Sequence, residues 1–197
     1  MKYKAPGWSG KPWPQYREEV EAMIAVFKSE GVRSYLEVGC RYGDTFRAVG
    51  RALPNGSRCV ACDLPGAYSS DKRPGRKNRH ANSWVYLQRA ADDLTKHGWP
   101  ATVIIGNSHH PDTVAKVRAL APFDAVFIDG DHALDGVTAD WRNFGPMGRI
   151  VAFHDLKGEK SASYGPRQLF NELKASHRHK VISVDPASCG IGIVWHE

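Results

Sequence analysis

The feature that most constrains this chain is a regular alternation of short apolar runs with amphipathic stretches, broken only near its end. SYLEV (Ser34–Val38), RCVACD (Arg58–Asp63), ATVIIG (Ala101–Gly106), FDAVFID (Phe123–Asp129) and GRIVAFHD (Gly148–Asp155) each read as a strand. Helical segments follow them: DTFRAVGRAL, SWVYLQRAADDLTKHG, PDTVAKVRAL, HALDGVTADWRNF and the stretch from Gly165 to Ala175. Ahead of the first strand, Val20, Met23, Ile24 and Phe27 recur at helical spacing between Gln15 and about Glu30. The last two apolar runs, HKVISVD (His179–Asp185) and CGIGIVWH (Cys189–His196), are separated only by PAS. So short a gap permits an antiparallel hairpin and forbids a parallel crossover. The pattern therefore predicts an α/β protein: a doubly wound, mostly parallel sheet of seven strands, covered by helices on both faces and closed by an antiparallel pair.

At 197 residues the chain fits one domain. Residues 1–30 read as an N-terminal arm and helix, and residues 31–197 as the α/β domain. No apolar run approaches the roughly 20 residues of a membrane span. The opening MKYKAPGWSGKPWPQY has no apolar core of a secretory signal, so the expected location is cytoplasmic, with no membrane partner. Cys59 and Cys62 form a CxxC, but on a strand they point to opposite faces and no second pair completes a zinc site. They read as small buried residues in a reducing compartment. The net charge of +6 is concentrated in Lys72, Arg73, Arg76, Lys77 and Arg79, beside Pro74 and Gly75. This basic loop, 72–79, reads as a solvated segment, a lid over an anionic substrate or a nucleic-acid contact.

In doubly wound sheets ligands bind outside the carboxyl ends of the strands, near the first one. That strand runs into Glu37-Val38-Gly39-Cys40-Arg41-Tyr42-Gly43 and then a helix. Gly39 allows a tight turn, and Gly43 allows close approach at the helix N-terminus. Asp63 ends the second strand, where a carboxylate can accept both ribose hydroxyls of an adenosine. The E-x-G-x-x-x-G spacing lacks a pyrophosphate cradle, and Glu37 suits an amino group better than a phosphate. Together with the terminal hairpin, YLEVGCRYGDTF resembles the first motif of the class I S-adenosylmethionine-dependent methyltransferases. The resemblance runs from about Val32 to Trp195. It implies a Rossmann-like fold with strand order 3-2-1-4-5-7-6, and S-adenosylmethionine as cofactor. Glu37, Gly39, Tyr42, Gly43 and Asp63 would line its pocket, and Asn107 or Ser108 would border the adenine.

The fourth and fifth strands end in Ile128-Asp129-Gly130-Asp131-His132 and His154-Asp155. As neighbours, these strands bring Asp129 and Asp155 together, and two close carboxylates repel unless something neutralises them. Mg²⁺ is the natural partner. FIDGDHALDGVTADWRNFGPMGRIVAFHD resembles the metal-dependent O-methyltransferases, closest to the sugar-hydroxyl branch. The resemblance implies Asp129 and Asp155 as metal ligands, Asp129 also beside the cofactor, and His132 as the base for an acceptor hydroxyl; His154 reads either as a packed, hydrogen-bonded histidine or as a metal or substrate contact. Asp131 is expected to cap the following helix. Leu156 stands where such enzymes usually supply a third ligand, leaving Asp131, His154 or water to complete the shell, or no metal at all. His109-His110 and His177-x-His179 read as surface residues.

The favoured partner is thus a small-molecule acceptor. A nucleic-acid methyltransferase is the alternative suggested by the charge, although IDGDH replaces the Asn/Asp-Pro-Pro-aromatic motif of amino-methylating DNA enzymes. A non-catalytic cofactor-binding protein is a third reading. Whether the N-terminal segment caps the substrate pocket or builds a homo-oligomer contact is open at this level.

Overall fold

The structure is a computed structural model, and it describes residues 8–10, 15–64, 82–157 and 164–196. The basic loop at 72–79 lies outside them. The chain forms α1 (Arg17–Ser29), β1 (Ser34–Val38), α2 (Asp44–Ala52), β2 (Arg58–Asp63), α3 (Ser83–Lys96), β3 (Ala101–Ile105) and α4 (Pro111–Arg118). It continues through β4 (Phe123–Ile128), α5 (Leu134–Phe144), a 3₁₀ turn, β5 (Gly148–Phe153), α6 (Tyr164–Leu173), β6 (Arg178–Ile182) and β7 (Ile191–Trp195). The seven strands lie in the order β3-β2-β1-β4-β5-β7-β6, as the resemblance implied. β1 pairs in parallel with β2 and β4, β2 with β3, and β4 with β5. β7 runs antiparallel between β5 and β6.

Near-continuous apolar strands follow from burial on both faces. Alternate side chains feed two cores. One gathers Phe27, Tyr35, Phe46, Leu87, Phe127 and Ile193; the other gathers Leu36, Val60, Val126, Phe144, Phe153 and Phe170. Cys59 falls in the first and Cys62 in the second, so the CxxC does straddle the sheet. Burial pushes both thiols up to about 12, and facing opposite cores they cannot share an ion. Helix α1 packs into the first core through Met23 and Phe27.

The terminal hairpin departs from the expected short gap. Its strands end at Ile182 and resume at Ile191, so residues 183–190 form the connection. Two local forces peel this segment off the sheet. The Asp185 carboxylate and carbonyl receive the amides of Ala187 (2.7 Å) and Ser188 (2.9 Å). Gly190 and Cys189 then use their carbonyls on the chain leaving β5, accepting from Leu156 (3.3 Å) and Lys157 (2.6 Å). Among the described residues, no helix is long and apolar enough to cross a membrane.

Candidate active site

The carboxyl ends of β1, β2, β4 and β5 share one edge of the sheet, and the residues singled out above meet there. Gly39 follows β1 with φ +88°, and a Cβ on it would lie 2.4 Å from the carbonyl oxygen of Asp129. Only glycine lets the turns after β1 and β4 touch. Gly43, at φ +79°, precedes α2, where a Cβ would lie 2.9 Å from the Ala90 Cβ of α3. Its need for glycine thus has a packing cause. Tyr42 is buried and meets Tyr86 edge to face (5.6 Å).

Glu37 points into this turn from β1. It is buried, and the Tyr35 hydroxyl donates to it at 2.6 Å. Burial holds its carboxyl well above the ordinary range, and the nearby Asp129 and Asp63 add to the effect. No described cation pairs with it. Asp63 ends β2, and its Oδ1 accepts the Leu64 amide at 2.7 Å. Its Oδ2 is buried with no described hydrogen-bond partner, and burial lifts the group to about 6. A buried carboxylate oxygen without a partner is costly unless a ligand completes it. A ribose hydroxyl would do so at Asp63, and an ammonium group would neutralise the buried Glu37 carboxylate. The donor set therefore fits the adenosine and amino-acid ends of S-adenosylmethionine.

Asn107 and Ser108 sit after β3, as placed by the sequence. The Asn107 side-chain oxygen accepts the His109 amide (2.9 Å), and the Ser108 carbonyl accepts from Asn143 of α5 (3.1 Å). Below them Asp140 is fully buried, 3.3 Å from His109 Nε2. His109 is exposed, as expected of a surface residue, although one edge of its ring lies against this carboxylate. The Asp140 partner lies thirty-one residues away on α5, beyond the reach of a spacing argument. His110 is exposed, and its Nδ1 accepts the Asp112 amide at 3.3 Å, capping α4.

Beside the cleft, four titratable groups interlock. His154 is buried, with Nδ1 3.2 Å from Asp129 Oδ1 and 3.3 Å from Asp155 Oδ1. His132 Nε2 lies 2.5 Å from Asp155 Oδ2 and 3.8 Å from Asp129 Oδ1. Burial opposes a charge on His154, but Asp129 and then Asp155 outweigh it and lift the imidazole to about 10. The hydrogen bond to Asp155 raises His132 likewise. The Asp155 carboxyl falls well below its usual range because both histidines favour its charge against the pull of burial. Asp155 also adopts φ +59°, a left-handed conformation rare for a non-glycine residue and a form of strain found at functional sites. So the two carboxylates do converge, and imidazoles are part of what neutralises them.

Several participants carried no sequence signal. Gln15, just before α1, donates from Nε2 to Asp129 Oδ2 (2.6 Å) and accepts from Thr45. Asp44 receives the amide (2.9 Å) and hydroxyl (2.7 Å) of Ser9. Cys189, in the β6–β7 connection, has its sulfur within 4.8 Å of candidate ligand atoms of His154 and Asp155. Asp131 does not cap α5, whose N-cap is Ala133; it accepts the Ala133 amide at 2.9 Å in the turn before it. Gly136 leaves room for that carboxyl, since a Cβ there would lie 2.2 Å from the Asp131 Cγ. Leu156 is buried in the second core.

A family model described as a methyltransferase domain matches residues 36–156. The fold is also that of solved methyltransferases. An O-methyltransferase from Bacillus cereus, solved in complex with SAH, is 16% identical, with 92% of this chain and 82% of that one covered and a TM-score of 0.63. The calicheamicin methyltransferase CalS11 is 16% identical over 90% and 78% of the two chains, TM-score 0.64. TomG from Streptomyces achromogenes, an O-methyltransferase involved in tomaymycin synthesis and solved with SAM, is 17% identical over 91% and 80%, TM-score 0.61. No curated protein sequence matches the chain.

Proposed function

Because the chain belongs to the class I S-adenosylmethionine-dependent methyltransferases, we propose that it methylates a hydroxyl oxygen of a small molecule, with a divalent cation at the acceptor site. One observation carries this reading: Asp129, His132, His154 and Asp155 converge beside the Glu37–Asp63 cleft. The O-methyltransferases of like fold point the same way.

In this reading Asp63 accepts the ribose hydroxyls, and Glu37, with Asp129, receives the cofactor's ammonium group. Asn107 and Ser108 border the adenine, and Gly39, Tyr42 and Gly43 shape the floor. Asp129 and Asp155 would hold a divalent ion such as Mg²⁺ through their carboxylate oxygens, with a ring nitrogen of His132 within 4.8 Å of both. A bound cation would supply Lewis acidity that makes the acceptor hydroxyl more acidic. His132 is half-exposed at the mouth of the cluster and takes the hydroxyl proton on its ring nitrogen. The oxygen then bonds to the methyl carbon as the carbon–sulfur bond breaks. The sulfonium leaves as a neutral thioether, and the imidazolium rests against Asp155. Holding both partners in line supplies most of the acceleration. His154, buried behind Asp129 and Asp155, orients both carboxylates.

The test combines calorimetry with transfer of a radiolabelled methyl group to a panel of catechols and hydroxylated glycosides. The protein should bind S-adenosylhomocysteine and label a hydroxylated acceptor. Chelation should stop transfer and leave cofactor binding intact, and added divalent ion should restore it. Labelling of nitrogen acceptors or nucleic acid alone would refute the O-methyl assignment.

A further inference from the structure

We propose that His154, Asp155 and Cys189 form a site for a borderline transition ion of the zinc and cobalt class. The inference rests on the proposed use of a divalent cation and deepens it by naming the ion class and a second set of ligands. The three residues each offer a ligand atom, all within 4.8 Å of one another. They come from distant stretches of chain, so the arrangement is a product of the fold. His154 and Asp155 leave β5, while Cys189 arrives on the β6–β7 connection.

The backbone that carries the sulfur is held from two sides. The Cys189 carbonyl accepts the Lys157 amide (2.6 Å), and the Gly190 carbonyl accepts that of Leu156 (3.3 Å). On the other side the Gly190 amide donates to both carboxylate oxygens of Glu19 at 3.2 Å, and Glu19 is fully buried. Tyr16 adds a hydroxyl bond to the Ala187 carbonyl at 3.0 Å. A second observation comes from His154. Its side chain is 6% exposed, and Nε2 has no hydrogen-bond partner among the described residues. An imidazole at this depth with one nitrogen unmatched has incomplete bonding, and a cation bound there would displace the proton that Asp129 and Asp155 otherwise favour.

The donor types select the ion. Imidazole and thiolate favour zinc, cobalt or nickel, whereas Mg²⁺ demands oxygen donors in near-octahedral array. Three protein ligands leave a fourth position open, the pattern of catalytic rather than structural zinc sites. Asp155 joins this triad to the oxygen-rich one: Oδ1 faces His154 and Oδ2 faces His132. An ion bound through Cys189 would therefore use the same carboxylate that orients His132.

The experiment uses the full chain stripped of metal by chelation and dialysis, with Co²⁺ as an optical probe and Zn²⁺ in calorimetry. The expected result is a near-ultraviolet sulfur-to-cobalt band with the visible absorption of a four-coordinate ion, unaffected by millimolar Mg²⁺. Cys189→Ser should abolish the ultraviolet band and weaken Zn²⁺ binding by roughly tenfold or more, the loss caused even by removing a ligand's outer partner. S-adenosylhomocysteine affinity should stay at the parent value, which also reports that the variant is folded. His154→Gln should shift the visible bands. A Co²⁺ spectrum without the sulfur band, or one unchanged in Cys189→Ser, overturns the proposal. If Asp129→Asn rather than Cys189→Ser abolishes binding, the ion belongs to the oxygen-rich triad; this inference then fails while the O-methyltransferase reading stands.

Discussion

As the proposed ribose acceptor, Asp63 works against the stability of the cofactor-free protein. Its folded pKa, about 6, lies above the ordinary 3.8 because the group is buried. A raised carboxyl contributes stability that is present below pH 3.8 and lost as pH rises through about 6. Asp63→Asn should therefore stabilise the cofactor-free protein at pH 8 by about 1–3 kcal/mol, measured by urea unfolding. Cofactor binding runs the other way, because ribose hydroxyls bond best to the ionised form. Affinity for S-adenosylhomocysteine should fall as pH drops through about 6, and Asp63→Ala should lose roughly 1.5–3 kcal/mol at neutral pH along with that dependence. Unchanged calorimetric affinity in a folded variant would remove Asp63 from the cofactor site. His132→Ala should slow methyl transfer by roughly 10²–10⁴-fold with cofactor affinity intact; a loss confined to cofactor affinity would make His132 a binding residue. The positions of Asp63 and His132 were legible in the sequence because Asp63 ends β2 and His132 follows β4 in a stretch that resembles a known motif. Gln15, Asp140 and Cys189 were not: nothing in local pattern says that residue 15 will reach residue 129, and such contacts exist only once the sheet is assembled.

At the level of elements, strand ends were readable to within a few residues because burial on both faces demands unbroken apolar runs. The β6–β7 connection was misjudged because HKVISVD keeps an apolar alternation to Val184, which is 47% exposed. Alternation there reflects intrinsic preference, while Asp185 and the chain after β5 draw the backbone out of the ladder. The glycine turn was legible as a turn but not in what it makes room for. Two glycines separate backbone freedom from crowding. Gly31 has φ +68° and open space around its missing Cβ, whereas Gly39 has φ +88° and the backbone of Asp129 at 2.4 Å. Gly31→Ala should cost about 1–2 kcal/mol, the left-handed strain alone. Gly39→Ala should add about 1–3 kcal/mol of overpacking and weaken cofactor binding, because Asp129 must move. Equal losses in urea unfolding of the two variants would show that the contact between the two turns yields freely.

For the whole molecule the open question is whether the chain divides near residue 30, as its composition suggests. We propose that the boundary is one of sequence character rather than of cooperativity. Phe27 is fully buried, its ring centroid 6.0 Å from that of Tyr35 on β1, and Tyr35 in turn stacks near Phe46 of α2 at 6.3 Å. Met23 and Phe27 share a core with Ile182, Ile191 and Trp195 from the last two strands. At the start of α1 Glu19 holds Gly190, and at its end Arg178 of β6 reaches Glu30 at 3.1 Å. The helix thus bridges the first strand and the terminal hairpin, and removing it would open both. Phe27→Ala deletes a ring from a site with little freedom to collapse, and should cost about 3–5 kcal/mol. The loss should appear as a single shifted unfolding transition, with faster amide exchange in β1 and β7 as well as in α1. An N-terminal segment that folds apart from the rest would behave differently: exchange would quicken in α1 alone, and the main transition would keep its midpoint.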